Sequence, residues 1–489
     1  MAFRGLNYGE GWADGEFSDC RNISTAMFPC ISQRFARAGA AKYDKPTAMF
    51  SKDCLLVIDG TDVKVNGDKV GEVTEGRKQL STIGNYIVIF PDKVYYNVVT
   101  KELEVMEETI TATGLTFTDN TITTTGDAFK FRTGDAVTIT GCSTEANNKT
   151  VIIRGVEDKK LTFYENTFTA VTEAGSVTLK REIPDLDYIC ESGYRLWGTK
   201  GNTIYGSKWG DPLNFQVFDG ISSDSYYIDV GSDGEFTGCI PYSSHICFFK
   251  ENTLHKLYGS KPSNFQVVTA QIYGVQKGSE RSMCVINETL FYKGVLGVYA
   301  YTGGVPELIT SKFGTKRFSD ACAATDGTRY YICMKGTDQA WGVFVFDVAK
   351  NLWVQEDDLH CVDMVTHNGY VHLLSSSGDL YRVDERGPQA DIEWSVTFCP
   401  FHETMNERKG YSKFHMRLEL DAGAWLTAEI RRDNDTKWDQ IYTTHNDKAR
   451  TVSIPVLPKR CDSVEIRLRG KGKCILRTFI REFFAGSDV

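Results

Sequence analysis

Apolar residues in this chain come in short bursts, many alternating with polar residues, and Gly, Asn, Asp or Pro separates one burst from the next. That is the two-residue period of strands joined by tight turns, not the 3.6-residue period of helices. The pattern is organised around residues 195–267, where one segment occurs twice. Asn202-Thr203-Ile204 leads through Pro212 to Asn214-Phe215-Gln216-Val217; at the same spacing, Asn252-Thr253-Leu254 leads through Pro262 to Asn264-Phe265-Gln266-Val267. Each copy opens on an apolar burst (Leu196-Trp197; Ile246-Cys247-Phe248-Phe249) and turns at Lys200-Gly201-Asn202 or Lys250-Glu251-Asn252. A second burst follows, Thr203-Ile204-Tyr205 or Thr253-Leu254-His255, and a Pro-containing turn then runs into Phe-Gln-Val, read as a further strand. An internal repeat of this kind is a small antiparallel sheet. Ile204 and Leu254 hold equivalent places in it and are expected inside sheet cores.

The same theme recurs in degenerate form at 48–50, 55–58 and 63–65, with turns at Asp59-Gly60 and Asn66-Gly67, and at 79–83, 86–90 and 94–97. It returns at 283–286, 289–292 and 297–301, then at 321–325, 329–334 and 341–347, and last at 361–366, 370–374 and 379–383. About seven such units predict an all-β chain closed into a β-propeller, which protects strand edges by radial repetition. Solenoid stacking is the rival, although its periods are usually shorter and more regular. The expected domains are an N-terminal arm (1–45), a first propeller part (46–109), an inserted small β-barrel (110–182), a second propeller part (183–390) and a C-terminal β-sandwich (391–489). The Thr-rich insertion has strands of its own at 121–125, 136–140, 150–156, 161–164 and 176–180. Surface loops accept such domains where sheet elements do not. Strict alternation at 414–420, 426–431, 452–454 and 464–468 marks the sandwich, with one polar face.

Composition agrees: 44 Gly against 12 Pro, with 41% hydrophobic and 24% charged residues, is a globular, turn-rich chain. The 14 Cys are scattered without any C-x-x-C pair, mostly inside apolar runs, as buried free thiols are. No structural zinc is expected from that spacing. A net charge of -9 argues against a broad nucleic-acid-binding surface, although not against a passage that DNA traverses without being held. No apolar run is long enough to span a bilayer, and the opening residues lack the apolar core of a signal peptide, so synthesis and folding in a cytoplasm are expected, with no membrane partner.

Candidate chemistry is sparse. Asp187, Asp229, Asp233, Asp326 and Asp363 are the carboxylates that a propeller hydrolase would need, but most precede Gly or flank a strand, where Asp caps turns. No Ser-x-Asp-x-Gly-x-x-Trp turn surrounds any of them. His360, His367 and His372 cluster near Cys361, yet His367 and His372 are expected on opposite faces of one strand and therefore unable to share a metal. Gly472-Lys473 lacks the phosphate-loop spacing. Asn22, Asn148 and Asn287 begin Asn-x-Ser/Thr triplets, which mean nothing without secretion. No catalytic residue, cofactor or metal is assigned. Trp425 and Trp438 are the residues a glycan-binding protein would use. The C-terminal segment is locally basic (Arg431-Arg432, Lys459-Arg460, 467–473). It reads either as a solvated sheet face or as a surface docking on an acidic neighbour, and Arg467, Arg469 and Lys471 are its candidate subunit-interface residues.

Two sets of residues carry a family likeness. Cys20-Arg21-Asn22-Ile23-Ser24 followed by Pro29-Cys30-Ile31-Ser32-Gln33-Arg34 resembles the opening of tail-nozzle and tail-hub propeller proteins of bacteriophages, and Trp209-Gly210-Asp211-Pro212-Leu213-Asn214-Phe215 resembles a turn that recurs in them. The end of the chain, with Arg481-Glu482 and Gly486-Ser487-Asp488-Val489, is similar to uncharacterised structural proteins of phages and prophages of Gram-positive bacteria. The resemblance implies a non-enzymatic virion protein made in a bacterial host: a ring of identical subunits, six-fold in such nozzles, below the portal and adaptor proteins and around the DNA exit path. The insertion at 110–182 departs from the simplest nozzle pattern. A receptor- or glycan-binding tail protein and a propeller glycoside hydrolase are the alternatives.

Overall fold

The computed structural model describes residues 3–384, 392–403, 408–433, 435–445 and 450–485. The chain divides into two compact units, Thr47–Lys277 and the remainder. Among the described residues it is all-β: seven four-stranded antiparallel sheets follow the repeat, two further small sheets form the insertion, and two larger ones hold the C-terminal segment.

The Thr47–Lys277 unit holds four of the seven. Sheet I is Pro46–Ser51, Leu55–Asp59, Asp62–Val65 and Asp68–Glu72; sheet II is Gln79–Ile83, Tyr86–Phe90, Val94–Asn97 and Glu102–Val105. Sheet III is Tyr188–Ser192, Arg195–Lys200, Thr203–Gly206 and Tyr226–Asp229; sheet IV is Phe236–Tyr242, His245–Lys250, Leu254–Tyr258 and Gln266–Ala270. Strands follow chain order within each, because tight turns join neighbours. Asn66 and Gly67 both take positive φ between the paired Val65 and Asp68, the mirror-image turn that suits a twisted hairpin.

The alternation of each strand divides its side chains between two cores. In Tyr86–Phe90, Ile87 and Ile89 pack with Leu56, Ile58 and Val63 of sheet I. Val88 and Phe90 pack with Ile189, Leu196 and Phe215 of sheet III. Cys190, Trp197 and Ile204 of sheet III then meet Cys239, Ile246 and Phe248 of sheet IV. Consecutive sheets thus stack face to face, each buried aliphatic side chain contributing roughly 1.5–3 kcal/mol. Ile204 and Leu254 are fully buried, as their equivalence requires.

The insertion leaves sheet II and returns to sheet III through a ladder of its own ends, Glu108–Thr113 against Ser176–Arg181. Its strands form a four-stranded and a five-stranded sheet around a private core that includes Phe117, Ile139, Leu161 and Leu179.

The second unit holds sheet V (Cys284–Ile286, Thr289–Lys293, Val298–Tyr301, Glu307–Leu308) and sheet VI (Phe318–Thr325, Arg329–Gly336, Trp341–Asp347, Leu352–Asp357). Sheet VII is Cys361–His367, Tyr370–Ser375 and Asp379–Arg382, completed by Ala38–Lys42 from near the start of the chain. The segment expected as an arm is therefore built into sheets throughout. Glu16–Arg21 pairs with Glu393–Phe398, and Ile31–Gln33 pairs with Cys474–Ala485. The C-terminal segment and these early strands make two six-stranded sheets around one core, in which Phe398, Phe414 and Leu468 are buried. All 14 cysteines are free thiols, and only Cys30 and Cys284 are not fully buried.

Candidate functional site

The first copy of the repeat departs from the second just after its Ile204 strand. In sheet IV, Leu254–Tyr258 passes through a short turn into Gln266–Ala270, so the second Phe-Gln-Val does enter the outer strand. In sheet III the chain makes an excursion over 207–225 before its outer strand Tyr226–Asp229, and Phe215-Gln216-Val217 lies in that excursion, outside any strand. The expectation of a strand there is corrected: the added length lets the segment reach the inserted domain.

Arg195 holds the excursion. Its buried guanidinium donates to the Ser207 carbonyl at 2.6 Å, the Ser222 carbonyl at 2.8 Å and the Asp224 carbonyl. Asp224 in turn accepts the backbone N–H groups of Gly220 and Ile221 at 2.6 and 3.1 Å. At the far end Asn214 bridges to the insertion, its amide donating to Asp135 at 3.0 Å and its carbonyl oxygen accepting from the Ala136 N–H at 3.0 Å. Arg181 adds a 2.6 Å ion pair to Asp135, and Arg132 lies 3.2 Å from Asp211. Burial pushes the Asp135 carboxyl up, but the Asn214 amide, the Arg132 backbone N–H and both guanidinium groups outweigh it and hold it below the usual range.

Between the insertion and sheet III this arrangement leaves a groove of about 630 Å3. Tyr164 and Thr150 line it from the insertion, and Gln216, Phe218, Asp219 and Tyr227 from the sheet III side. The Arg154 guanidinium lies 3.7 Å from the centre of the Tyr164 ring and pairs with Asp219 at 3.0 Å. The Phe218 and Tyr227 rings meet edge to face at 5.8 Å. The groove thus combines aromatic rings with an amide, a hydroxyl and a neutralised ion pair.

No protein-family model matches the chain, and no curated protein matches it. Among solved structures it is similar to U3-55K at 8% identity, with 72% of this chain and 98% of that one covered and a TM-score of 0.38. It is also similar to Hsv2 of Kluyvelomyces marxianus (12% identity, 64% and 98% covered, TM-score 0.26). An exo-beta-1,3-galactanase of Phanerochaete chrysosporium follows at 9% identity, 59% and 94% covered, and TM-score 0.24. Likenesses this distant carry no argument about what this chain does.

The residues singled out by sequence take other places. Asp187 pairs with Lys200 at 3.0 Å, Asp229 accepts the Thr203 hydroxyl, and Asp363 lies 3.3 Å from Arg281. Asp326 accepts the N–H groups of Thr328 and Arg329, each at 2.8 Å, which is turn capping. Asp233 stands in the bend after sheet III. His367 and His372 are not on one strand: they end and enter the two arms of a hairpin, and their rings lie 5.7 Å apart. His360 stacks on Trp341 at 3.8 Å. Among the described residues, no group of three or more His, Cys, Asp or Glu is placed to hold a metal. No helix among them is long and apolar enough to cross a membrane.

Arg467 and Arg469 both reach Glu429, at 2.6 and 2.8 Å, and Lys471 is half-buried at the end of the same strand. Trp438 is flanked by the guanidinium groups of Arg467 and Arg431 at 4.4 and 4.7 Å; Trp425 pairs in register with Lys471. In the N-terminal motif, Asn22 accepts from Arg34 at 2.8 Å, Arg34 pairs with Asp357 at 3.0 Å, and Gln33 accepts the Cys474 N–H at 3.1 Å. These residues brace strands. Gly486-Ser487-Asp488-Val489 lies outside the described residues. Sequence reasoning missed the groove: its rings come from segments far apart in the chain, and the one available signal was the cluster of aromatic residues in and beside the excursion.

Proposed function

We propose that this chain is a structural protein of a bacteriophage tail, a nozzle or tail-hub subunit that surrounds the DNA exit path in the virion. In this reading sheets I–VII are the seven blades of a β-propeller, the insertion is a small barrel carried on it, and the C-terminal sheets form a sandwich. The observation that carries it is the pairing of Ala38–Lys42 with Asp379–Arg382, an early strand completing the last small sheet. A ring of blades needs such a closure, since it leaves no end sheet with an open edge. The resemblance of the Cys20–Arg34 and Trp209–Phe215 segments supplies the tail role, and both segments serve as braces, as a mechanical part requires.

Copies would assemble with one another into a ring, six-fold by resemblance, against portal, adaptor and other tail proteins. Arg467, Arg469 and Lys471 stay the candidate interface, although Glu429 already compensates two of them, so the attraction to a neighbour is short-ranged and salt-sensitive. With a net charge of -9 the chain lets DNA pass without holding it. The test is to fractionate purified virions and to measure double-stranded DNA binding by the isolated chain. The expected result is its presence in the tail fraction with weak DNA binding; absence from virions together with tight, salt-sensitive DNA binding overturns the reading.

A further inference from the structure

The groove between the insertion and sheet III has a chemical character that a purely mechanical part does not require. Tyr164, Phe218 and Tyr227 expose 60%, 52% and 58% of their surface around one concavity, a concentration that marks a binding surface. They are held in place. Arg154 covers one face of Tyr164 while Asp219 fixes Arg154 with two contacts of 3.0 and 3.1 Å. Phe218 leans on Tyr227, and Arg195 fastens the segment that carries Phe218. Rings fixed before a ligand arrives lose little side-chain freedom on binding.

We propose that this groove binds a neutral saccharide chain. A pyranose ring has an apolar face of C–H bonds, which lies flat on an aromatic ring, and an edge of hydroxyls that both donate and accept hydrogen bonds. The groove offers both halves of that match: open rings, and beside them the Gln216 amide, the Thr150 hydroxyl and the Asp219 carboxylate. Arg154 and Asp219 neutralise each other, so there is no surplus cation to favour a phosphate or sulfate group. A volume of about 630 Å3 falls in the ordinary range of small-molecule sites, so the groove would hold part of such a chain and leave its ends in solvent. A flat apolar patch would suit a protein partner better than a concavity edged with polar groups does. The proposal stands apart from the tail reading and survives or fails without it.

The test uses the full chain and three probes, cellohexaose, maltohexaose and chitohexaose, with dextran sulfate as the anionic arm, read by saturation-transfer NMR and titration calorimetry. At least one neutral hexasaccharide binds saturably, and dextran sulfate does not compete. Phe218→Ala and Tyr227→Ala, both on exposed side chains and checked for unchanged thermal unfolding, each weaken that binding by about tenfold, in keeping with the loss of one stacked ring. Tyr273→Ala, an exposed tyrosine outside the groove, leaves it unchanged. No saturable binding of any of the three at millimolar concentration overturns the proposal. So does binding that the two groove variants leave intact, or a change in oligomeric state as their only effect.

Discussion

Residues 195–217 and 245–267 share one sequence pattern and do different work. Both bury an apolar residue completely, Ile204 or Leu254. Both put their Phe against the preceding sheet: Phe215 packs with Phe90 and Leu196, and Phe265 meets Trp197 at 5.2 Å and Tyr226 at 4.9 Å. The Asn beside each Phe is where they part. Asn264 is exposed and caps its own turn, accepting the Ser260 and Lys261 N–H groups at 3.0 Å each. Asn214 is buried and reaches into the insertion instead. The lesson is that a repeat preserves what a core demands and leaves its loops open to recruitment. The excursion at 207–225, which one copy makes where the other turns directly into its outer strand, docks a domain and carries one side of a groove.

The largest expected effect tests what the copies share. Ile204→Ala and Leu254→Ala should each cost about 2–5 kcal/mol in chemical denaturation. A cost near zero at either position would break the equivalence.

The next tests where they differ. Asn214→Ala strips a donor from the buried Asp135 carboxylate and an acceptor from the Ala136 N–H, and should cost roughly 2–4 kcal/mol. Asn264→Ala, at an exposed turn, should cost about 0.5–1.5 kcal/mol. Equal costs would mean that the docking contact contributes no more than an exposed turn cap does.

A third concerns the residue after each Ile or Leu, Tyr205 in the first copy and His255 in the second. Burial, helped by Lys250, lowers the His255 imidazole to about 4 from the ordinary 6.5. The folded state therefore takes up fewer protons than the unfolded one, so this stability is full above 6.5 and falls as pH drops toward 4. His255→Gln should flatten that part of the profile, measured as Tm against pH; an unchanged profile would assign the slope elsewhere.

The smallest effect is at the rim. Arg132→Gln, which removes the partly exposed pairs of one guanidinium with Asp211 and Asp135 while Arg181 and Asn214 stay on Asp135, should cost about 1 kcal/mol or less, and less still at high salt. Lys261→Ala, at the matching place in the second copy, should be neutral to within about 0.5 kcal/mol.

What the sequence disclosed follows the same division. Strands such as Tyr86–Phe90, buried on both faces, stand out as apolar runs, and Asn66-Gly67 announces its turn by chemistry. The outer strands do not stand out. Asp68–Glu72, Glu102–Val105 and Ala38–Lys42 are mostly exposed, so no alternation betrays them, and three strands per repeat were legible where the structure has four. Partners distant in the chain were hidden for another reason: nothing local to Glu16–Arg21 says that it pairs with Glu393–Phe398. His367 and His372 were misplaced because a turn at Asn368-Gly369, both at positive φ, divides what looked like one strand. The groove was nearly illegible, since Tyr164 and Phe218 lie far apart in the chain and are brought together by contacts such as Asn214 with Asp135 and Arg154 with Asp219 that no local pattern announces.

The central claim is that the seven small sheets are blades of one closed propeller whose copies form a ring. An electron cryomicroscopy map of the purified full chain, or of the tail that contains it, tests this most directly. The account predicts seven sheets around a single axis in each subunit, sheet VII completed by the early strand, and subunits arranged in a closed ring. Separate bodies without a common axis, or a chain that remains monomeric both alone and with its tail neighbours, would contradict it.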